Sequence, residues 1–231
     1  MNPNPSWPLL SLRIGTAVPG PRGQLTAIDK QDVSRAQYLE QNRFRKDQQG
    51  DTVHHGGPEK AVHHYVTEHY QKWAEELADL PVKNLQEGGF GENLCTLGLT
   101  EKDVAIGDIF ELGDAVIQVS QPRQPCWKLN ERFNVPDMAM RVQASGRTGW
   151  YYRVLQAGWV QPDDLLRRTT RPQPDWTVAR VLRALYDERL EGDELAALAE
   201  LAELSPRLRD LAAKRLSSMT VEDWTRRLHG P

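Results

Sequence analysis

The sequence has little cysteine and no long apolar run. Two cysteines in 231 residues cannot build a disulfide framework or the cysteine set of an iron–sulfur cluster. No apolar stretch approaches the length of about 18 residues that a membrane span needs. The opening MNPNPSWPLL has neither the basic start nor the apolar stretch of a signal peptide. We therefore expect a cytoplasmic protein whose cysteines are thiols.

A strong charge imbalance is also missing. The 29 Lys and Arg against 32 Asp and Glu leave a formal charge of −3, so no general attraction to nucleic acid or to an anionic membrane is expected. The sequence contains no GxGxxG fingerprint and no flavin motif. Its 39% of hydrophobic residues can build a sizeable core, either in one large domain or in a domain with an appendage.

The residue pattern divides the chain into a strand-rich part, residues 1–170, and a helical part, residues 175–231. The runs LRIGTAV, GDIFEL, AVIQVS and YYRVLQ have the β-branched and aromatic content of strands. LGD at 112–114 and QAG at 156–158 lie between such runs and predict hairpin turns. Strands that follow one another with few long helices between them favour an antiparallel sheet closing into a barrel or sandwich.

One helix is expected to interrupt the strands. Val62, Val66, His69 and Trp73 recur at helical spacing within EKAVHHYVTEHYQKWAEEL. Pro58 suits the first turn of such a helix. We therefore predict a helix inserted in the strand-rich part.

The tail predicts three short helices. Residues 178–186 form one amphipathic face, Ser205 and Pro206 make a good helix start, and Thr220 with Asp223 resembles a capping box. Helices this short are marginal alone, so they should pack on one another or on the sheet. A structural or dimer-contact role is favoured because the tail contains no catalytic constellation.

The stretch QPRQPCWKLNERF, residues 121–133, sets a cysteine in a loop after a predicted strand. Pro122 and Pro125 restrict the backbone on either side of Arg123, so the loop should hold Arg123 and Cys126 in a fixed relation. A stiff loop suits a metal ligand or a nucleophile, because a nearby guanidinium favours the reactive thiolate. A packed structural thiol is an equally common use of cysteine, and the loop alone leaves both interpretations open.

Two further stretches point to an anion or cofactor, although each also suits an ordinary turn or packed surface. GGFGENL, residues 88–94, has glycines whose backbone can approach a ligand closely. HHGGPEKAVHHY, residues 54–65, places histidines and a lysine at a loop-to-helix junction. His63 and His64 are adjacent and would lie on different helix faces, which does not support a zinc pair. His55 is the histidine best placed to meet a ligand.

Four stretches together resemble the signature of the MOSC domain family, named for the C-terminal domain of molybdenum cofactor sulfurase. They are HHGGPEKAVHHY, GGFGENL, GDIFELGDAVIQVSQPRQPCWKL and GRTGWYYRVLQAGWV, and the resemblance spans residues 10–168. The chain is most similar to stand-alone bacterial members with a C-terminal helical extension. The resemblance implies a mainly β fold with α: a closed β-barrel-type MOSC domain over residues 1–170 with inserted helices, then about three short helices over residues 175–231.

The resemblance also implies a site for molybdenum cofactor (molybdopterin), a pterin dithiolene with a phosphate arm. Cys126 matches the family's proposed metal ligand, and a thiolate is a soft ligand that such a metal accepts. Arg123 would hold that thiolate or the anionic cofactor. The predicted catalytic residues are Cys126, Arg123 and His55, and the predicted cofactor-binding residues are Gly91, Glu92, Asn93, Lys60, Asn130 and Arg153.

The implied activity is molybdenum-dependent reduction of N-hydroxylated compounds such as 6-N-hydroxylaminopurine, a detoxification of base analogues. His55 or an arginine would deliver the proton, and a separate redox protein would deliver the electrons. Two alternatives remain: a sulfur-carrier or cofactor-handling module with a persulfide on Cys126, and a non-catalytic small-molecule-binding module. Cys95 stands where relatives commonly have serine or threonine, and is expected to be a small core residue.

Overall fold

The structure is a computed structural model that describes residues 4–20, 22–50, 56–187 and 190–230. A large sheet dominates the strand-rich part, and the later helices follow it along the chain. Within the described residues, no helix combines the length and apolar character that a membrane span requires.

The described residues form strands β1 (Ser6–Pro8), β2 (Ser11–Ile14), β3 (Val18–Pro19), β4 (Leu25–Thr26), β5 (Gln31–Asp32), β6 (Gln37–Leu39), β7 (Val62–Val66), β8 (Leu94–Thr96), β9 (Ile109–Leu112), β10 (Ala115–Pro122), β11 (Trp150–Gln156), β12 (Gly158–Val160) and β13 (Leu165–Thr170). Nine of them make one sheet in the order β1-β13-β9-β10-β11-β7-β8-β2-β5. Most neighbours are antiparallel, but β7 and β8 are parallel. The β-branched runs predicted as strands correspond to β2, β9, β10 and β11.

The sheet curls without closing, so the predicted closed barrel is wrong. Its described edge strands are β1 and β5. The Leu9 N–H donates to the Asp164 carbonyl next to β13, and the Leu10 N–H donates to the Cys95 carbonyl in β8. Two consecutive residues thus contact distant parts of the strand order. A closed barrel needs a continuous hydrogen-bond ladder between neighbouring strands. The two edge strands have only three and two residues, which is too short for such a ladder. Pro8, in the first of them, also lacks an N–H to donate.

The predicted inserted helix is half strand. Residues Val62–Val66 form β7, whose five residues are all buried, and the helix proper is α1 (Thr67–Glu76). Before β7, Pro58–Lys60 forms one 3₁₀ turn. A strand covered on both faces shows no alternation of polar residues, and this explains why helical spacing fitted the same letters.

Of the two predicted hairpin turns, one is present. Residues 112–114 join β9 to β10, which pair directly. Residues 156–158 lead from β11 into β12, but β12 pairs with β6 instead. Therefore QAG is a corner that passes the chain to a second, two-stranded sheet.

The remaining helices are α2 (Lys128–Phe133), α3 (Met138–Ser145), α4 (Val178–Tyr186), α5 (Gly192–Glu200), α6 (Pro206–Ser218) and α7 (Thr225–His229). The described tail thus holds four helices where three were predicted, because α5 was missed. Its sequence GDELAALAE is rich in strong helix formers, so helix propensity alone would have predicted this helix. Asp223, not Thr220, accepts the hydrogen bond from the Thr225 N–H at the start of α7.

One hydrophobic cluster joins the sheet to the tail. It contains Val119 and Tyr152 from the sheet together with Leu182, Leu198 and Leu208 from α4, α5 and α6. A smaller cluster packs α1 and α2 around the aromatic rings of Tyr65, Phe90 and Phe133. The helices of the tail therefore share the core of the sheet.

Candidate functional site

A cleft with an empty volume of about 650 Å³ lies between the cysteine loop after β10, the glycine turn before β8 and two loops of the N-terminal part. The ionisable side chains in its lining are Lys30, Asp47, Lys60, His63, Arg123, Cys126, Lys128 and Tyr151. Four of these are Lys or Arg and one is a carboxylate. Such a balance in a concave site favours an anionic ligand.

The cysteine loop brings Arg123 and Cys126 to this cleft together. β10 ends at Pro122, and α2 begins at Lys128. The Arg123 N–H donates to the Gly149 carbonyl at 3.0 Å, which ties the loop to the start of β11. Cys126 is partly exposed and can therefore meet a ligand in the cleft.

Arg123 is only 6% exposed, and its Nη1 has no hydrogen-bond partner among the described residues. A buried guanidinium nitrogen without a partner is costly, so the site is incomplete without an acceptor there. Neighbouring Tyr151 has its pKa raised by burial, and the positive charge of Arg123 opposes that shift. The Lys60 ammonium lies 6.0 Å from the centroid of the same tyrosine ring.

The glycine turn supplies Gly91 and Asn93 to the cleft but turns Glu92 away from it. Gly91 has a φ of 75°, and a Cβ there would lie 2.9 Å from the Ile28 side chain, so glycine is required. The Asn93 side chain donates to the Arg13 carbonyl and to Asp47, both at 3.0 Å. Its Oδ1 accepts from the His63 N–H at 3.1 Å. Asn93 thus joins four parts of the chain at the cleft wall.

Glu92 is fully buried and belongs to the wall behind the cleft. Its Oε1 accepts hydrogen bonds from the Tyr70 hydroxyl and the Gly88 N–H, both at 2.6 Å. Burial raises the pKa of Glu92, and these hydrogen bonds oppose the shift. The contacts of Glu92 therefore stabilise the turn, and Glu92 does not face the cleft.

A buried ion pair at the cleft was missed by the sequence analysis. Lys30 Nζ lies 2.5 Å from both carboxylate oxygens of Asp47, and both side chains are buried. Burial lowers the pKa of Lys30, while Asp47 opposes the shift. Asp47 also accepts the Gly15 N–H at 2.6 Å. The two residues come from separate loops without a local motif, so no signal in the sequence paired them.

His63 also lines the cleft, although the sequence analysis named His55 as the histidine best placed to meet a ligand. Its ring stacks obliquely on Tyr151 with centroids 4.9 Å apart, and its Nε2 has no partner among the described residues. Burial lowers the pKa of His63 well below its usual value, and the charge of Arg123 lowers it further. The imidazole is therefore neutral at pH 7 and offers a hydrogen bond rather than a charge.

Besides Glu92, two more predicted cofactor-binding residues, Arg153 and Asn130, lie outside the lining. Arg153 is held by Glu59 and by Gln118. Asn130 donates to the Leu228 carbonyl and accepts from the Ala139 N–H. Both therefore have structural contacts. His55 falls outside the described residues, while Lys60 does line the cleft.

The other cysteine is separate from the cleft. Cys95 is buried in β8, and its Sγ lies 3.1 Å from the Thr67 hydroxyl. Burial raises the pKa of its thiol, so it stays protonated and unreactive at neutral pH. This placement fits the small core residue expected from the sequence.

The cleft carries one thiol, and no cluster of three or more His, Cys, Asp or Glu suited to a metal occurs in the described ranges. A metal held here would need most of its ligands from a bound cofactor. The unbonded Nη1 of Arg123, the surrounding lysines and the partly exposed thiol fit a group that is anionic and carries a soft metal. The residues of the cleft therefore suit such a cofactor chemically.

Comparison with known proteins gives matches along most of the chain. Residues 51–167 match the MOSC domain, and residues 176–218 match the YiiM-like, 3-alpha helix domain. Protein YiiM of Escherichia coli is 39% identical over 91% of this chain and 93% of its own length.

A solved structure and a longer relative extend the comparison. The crystal structure of YiiM from Escherichia coli has a TM-score of 0.84 and 34% identity, covering 98% of this chain and 100% of that chain. A Gibberella moniliformis protein named Reductase is 40% identical over 71% of this chain, and the aligned part is 29% of that protein.

Proposed function

The chain belongs to the MOSC domain family, and from this we propose that its cleft binds molybdenum cofactor and serves a reductase of N-hydroxylated compounds. The observation that carries the proposal is the pairing of a partly exposed Cys126 with the buried, unbonded Nη1 of Arg123 in one cation-lined cleft. The family match supports the cofactor, and the relative named Reductase supports redox chemistry.

The cleft residues would divide the work of holding the cofactor. Cys126 would bind the metal through its thiolate. Arg123, Lys60 and Lys128 would offset the charge of the phosphate and dithiolene, while Gly91 leaves the backbone open to close approach. When bound, the cofactor supplies a centre that accepts oxygen and delivers two electrons.

Reduction of R–NHOH to R–NH₂ and water consumes two electrons and two protons. His63 is neutral at pH 7 because burial and Arg123 lower its pKa, so it can orient a substrate oxygen by hydrogen bonding but brings no excess proton. Proton delivery by His55 remains part of the proposal. The electrons would come from a separate redox protein. The cytoplasmic location and the dimer contact of the tail also remain predictions.

Measuring the molybdenum-to-protein ratio tests the cofactor site directly. We expect near-stoichiometric metal in the wild-type protein made in a host that synthesises the cofactor. Cys126→Ala should lower the ratio at least about tenfold, because it removes the metal ligand. Cys95→Ala is the matched control: it also removes one sulfur, but from the core of the sheet, and should keep its metal.

Loaded protein with a chemical reductant and 6-N-hydroxylaminopurine should then form adenine. Wild-type protein without molybdenum, from a host with ample cofactor, would contradict the cofactor proposal and direct attention to a persulfide on Cys126. Loaded protein that reduces no N-hydroxylated compound would support the cofactor proposal but contradict the proposed reductase activity.

A further inference from the structure

The last helix of the chain contacts the cysteine loop on both sides of Cys126. The Trp127 N–H donates to the Arg227 carbonyl at 2.8 Å. The guanidinium of the same arginine donates through Nη1 to the Pro125 carbonyl at 2.7 Å. One residue of α7 therefore binds both chain neighbours of the cysteine.

The same arginine is itself held in place. Its Nη2 donates to Gln143 Oε1 on α3 at 2.6 Å. Next to it, the Leu228 carbonyl accepts from the Asn130 side chain at 2.8 Å, and Asn130 Oδ1 accepts from the Ala139 N–H at 2.7 Å. Asn130 thus connects α2, α3 and α7.

Gly230, which follows α7, packs against the tryptophan that follows the cysteine. Gly230 has a φ of 92°, and a Cβ there would lie 3.2 Å from the Trp127 ring. On the same indole ring, the Arg22 guanidinium lies 4.7 Å from the centroid, and Arg22 also pairs with Glu131 at 2.5 Å. The loop is therefore packed against residues 225–230, which we name the C-terminal strap.

A second arginine holds the segment that leads into the strap. Arg215 of α6 is 1% exposed and donates to both carboxylate oxygens of Glu222 and to the Leu185 carbonyl. Glu222 also accepts the indole N–H of Trp224 at 2.9 Å, immediately before the strap. Charged hydrogen bonds around a buried arginine fix the segment that they join.

We propose that Arg227 is a positioning residue that holds the Cys126 loop in its ligand-binding conformation, so that the C-terminal strap forms part of the site. The strap lies beyond both matched ranges, 51–167 and 176–218. That the held thiol serves a metal rests on the proposed function. That the strap holds the thiol rests on the contacts alone.

The rate of alkylation of Cys126 by iodoacetamide tests the holding role without any cofactor. Arg227→Ala keeps the backbone carbonyl that binds Trp127 but removes the bonds to Pro125 and Gln143. Two hydrogen bonds from a charged donor restrain local opening, so we expect Cys126 to react about tenfold faster. Cys95, buried in β8, reports general unfolding in the same sample and should stay unreactive.

Two variants separate position from charge. Arg226→Ala removes a neighbouring exposed arginine and should leave the Cys126 rate unchanged. Arg227→Lys keeps the charge but cannot reach two acceptors as a fork, so its rate should fall between those of wild type and Arg227→Ala. Equal Cys126 rates in Arg227→Ala and wild type would overturn the proposal, as would parallel acceleration of Cys126 and Cys95, which indicates general loosening.

Molybdenum retention then connects the strap to the proposed function. In a cofactor-producing host, Arg227→Ala should retain several-fold less molybdenum than Arg226→Ala after gel filtration. Wild-type protein without metal would remove the proposed function but leave the alkylation result standing. Loaded wild type with unchanged retention in Arg227→Ala would overturn the role of the strap at the metal site.

Discussion

The buried His64 in β7 should contribute to the loss of stability of the protein in acid. Its ring nitrogens bond the Tyr152 and Thr96 hydroxyls, both at 2.9 Å, and burial lowers its pKa to about 3. An unfolded histidine titrates near pH 6.5. The neutral ring therefore contributes stability that is full above pH 6.5 and is lost as the pH falls toward 3.

Replacing His64 should flatten this pH dependence. Between pH 6 and 4, one such histidine makes the free energy of unfolding fall by about 1.4 kcal/mol per pH unit. His64→Gln should reduce the slope by about that amount, as measured by urea unfolding at several pH values. His229→Gln, a change at an exposed position, should keep the wild-type slope. Identical slopes in all three proteins would show that His64 is protonated in the folded state.

At this scale, local motifs predicted the parts of the cleft that are contiguous in sequence. Arg123 and Cys126 are three residues apart in a loop that contains two prolines. Gly91 and Asn93 belong to one turn. Lys30 and Asp47 could not be found in this way because only tertiary folding pairs them. Arg153 and Asn130 were assigned to the cofactor on resemblance, but their side chains already form hydrogen bonds with other parts of the protein.

At the scale of elements, Gly149 controls how β11 meets β7. Its φ is 69°, and an added Cβ would lie 2.2 Å from the His64 carbonyl oxygen. Gly146, at the end of α3, has the same φ of 69° but nothing within 4 Å of an added Cβ. The two glycines therefore separate conformational strain from steric overlap.

Gly146→Ala should cost about 1 kcal/mol of unfolding free energy, which is the strain of positive φ alone. Gly149→Ala should cost about 3 kcal/mol or more because backbone atoms must also move. Denaturant unfolding of both variants measures the difference. Equal losses would mean that β11 shifts freely against β7.

The misassigned element, β7, marks the limit of periodicity as a guide. Val62 and Val66 are four residues apart, which suits a helix. These two β-branched residues and the aromatic Tyr65 between them also suit a strand buried on both faces. The parallel ladder with β8 decides between them. That partner lies about 30 residues away along the chain, beyond any local window.

At the scale of the whole molecule, the shared core predicts that the sheet and the tail unfold together. Leu185 of α4 is fully buried in the cluster that also contains sheet residues. Leu185→Ala should cost about 2 to 5 kcal/mol and lower the melting temperature seen by both circular dichroism and Cys95 alkylation. Leu216, 37% exposed, provides the control: Leu216→Ala should change both midpoints little. Early loss of helix signal with Cys95 still protected would indicate that the tail unfolds separately.

The pairing of β1 with β13 also constrains how the chain folds during its synthesis on the ribosome. Ser6 aligns with Arg167, so the partner of the first strand is synthesised about 160 residues later. Pairings between such distant segments form slowly. Nascent chains that end before β13 leave this N-terminal segment without its ladder. We therefore expect the sheet to be completed late in synthesis, with the first strand open to chaperones until then.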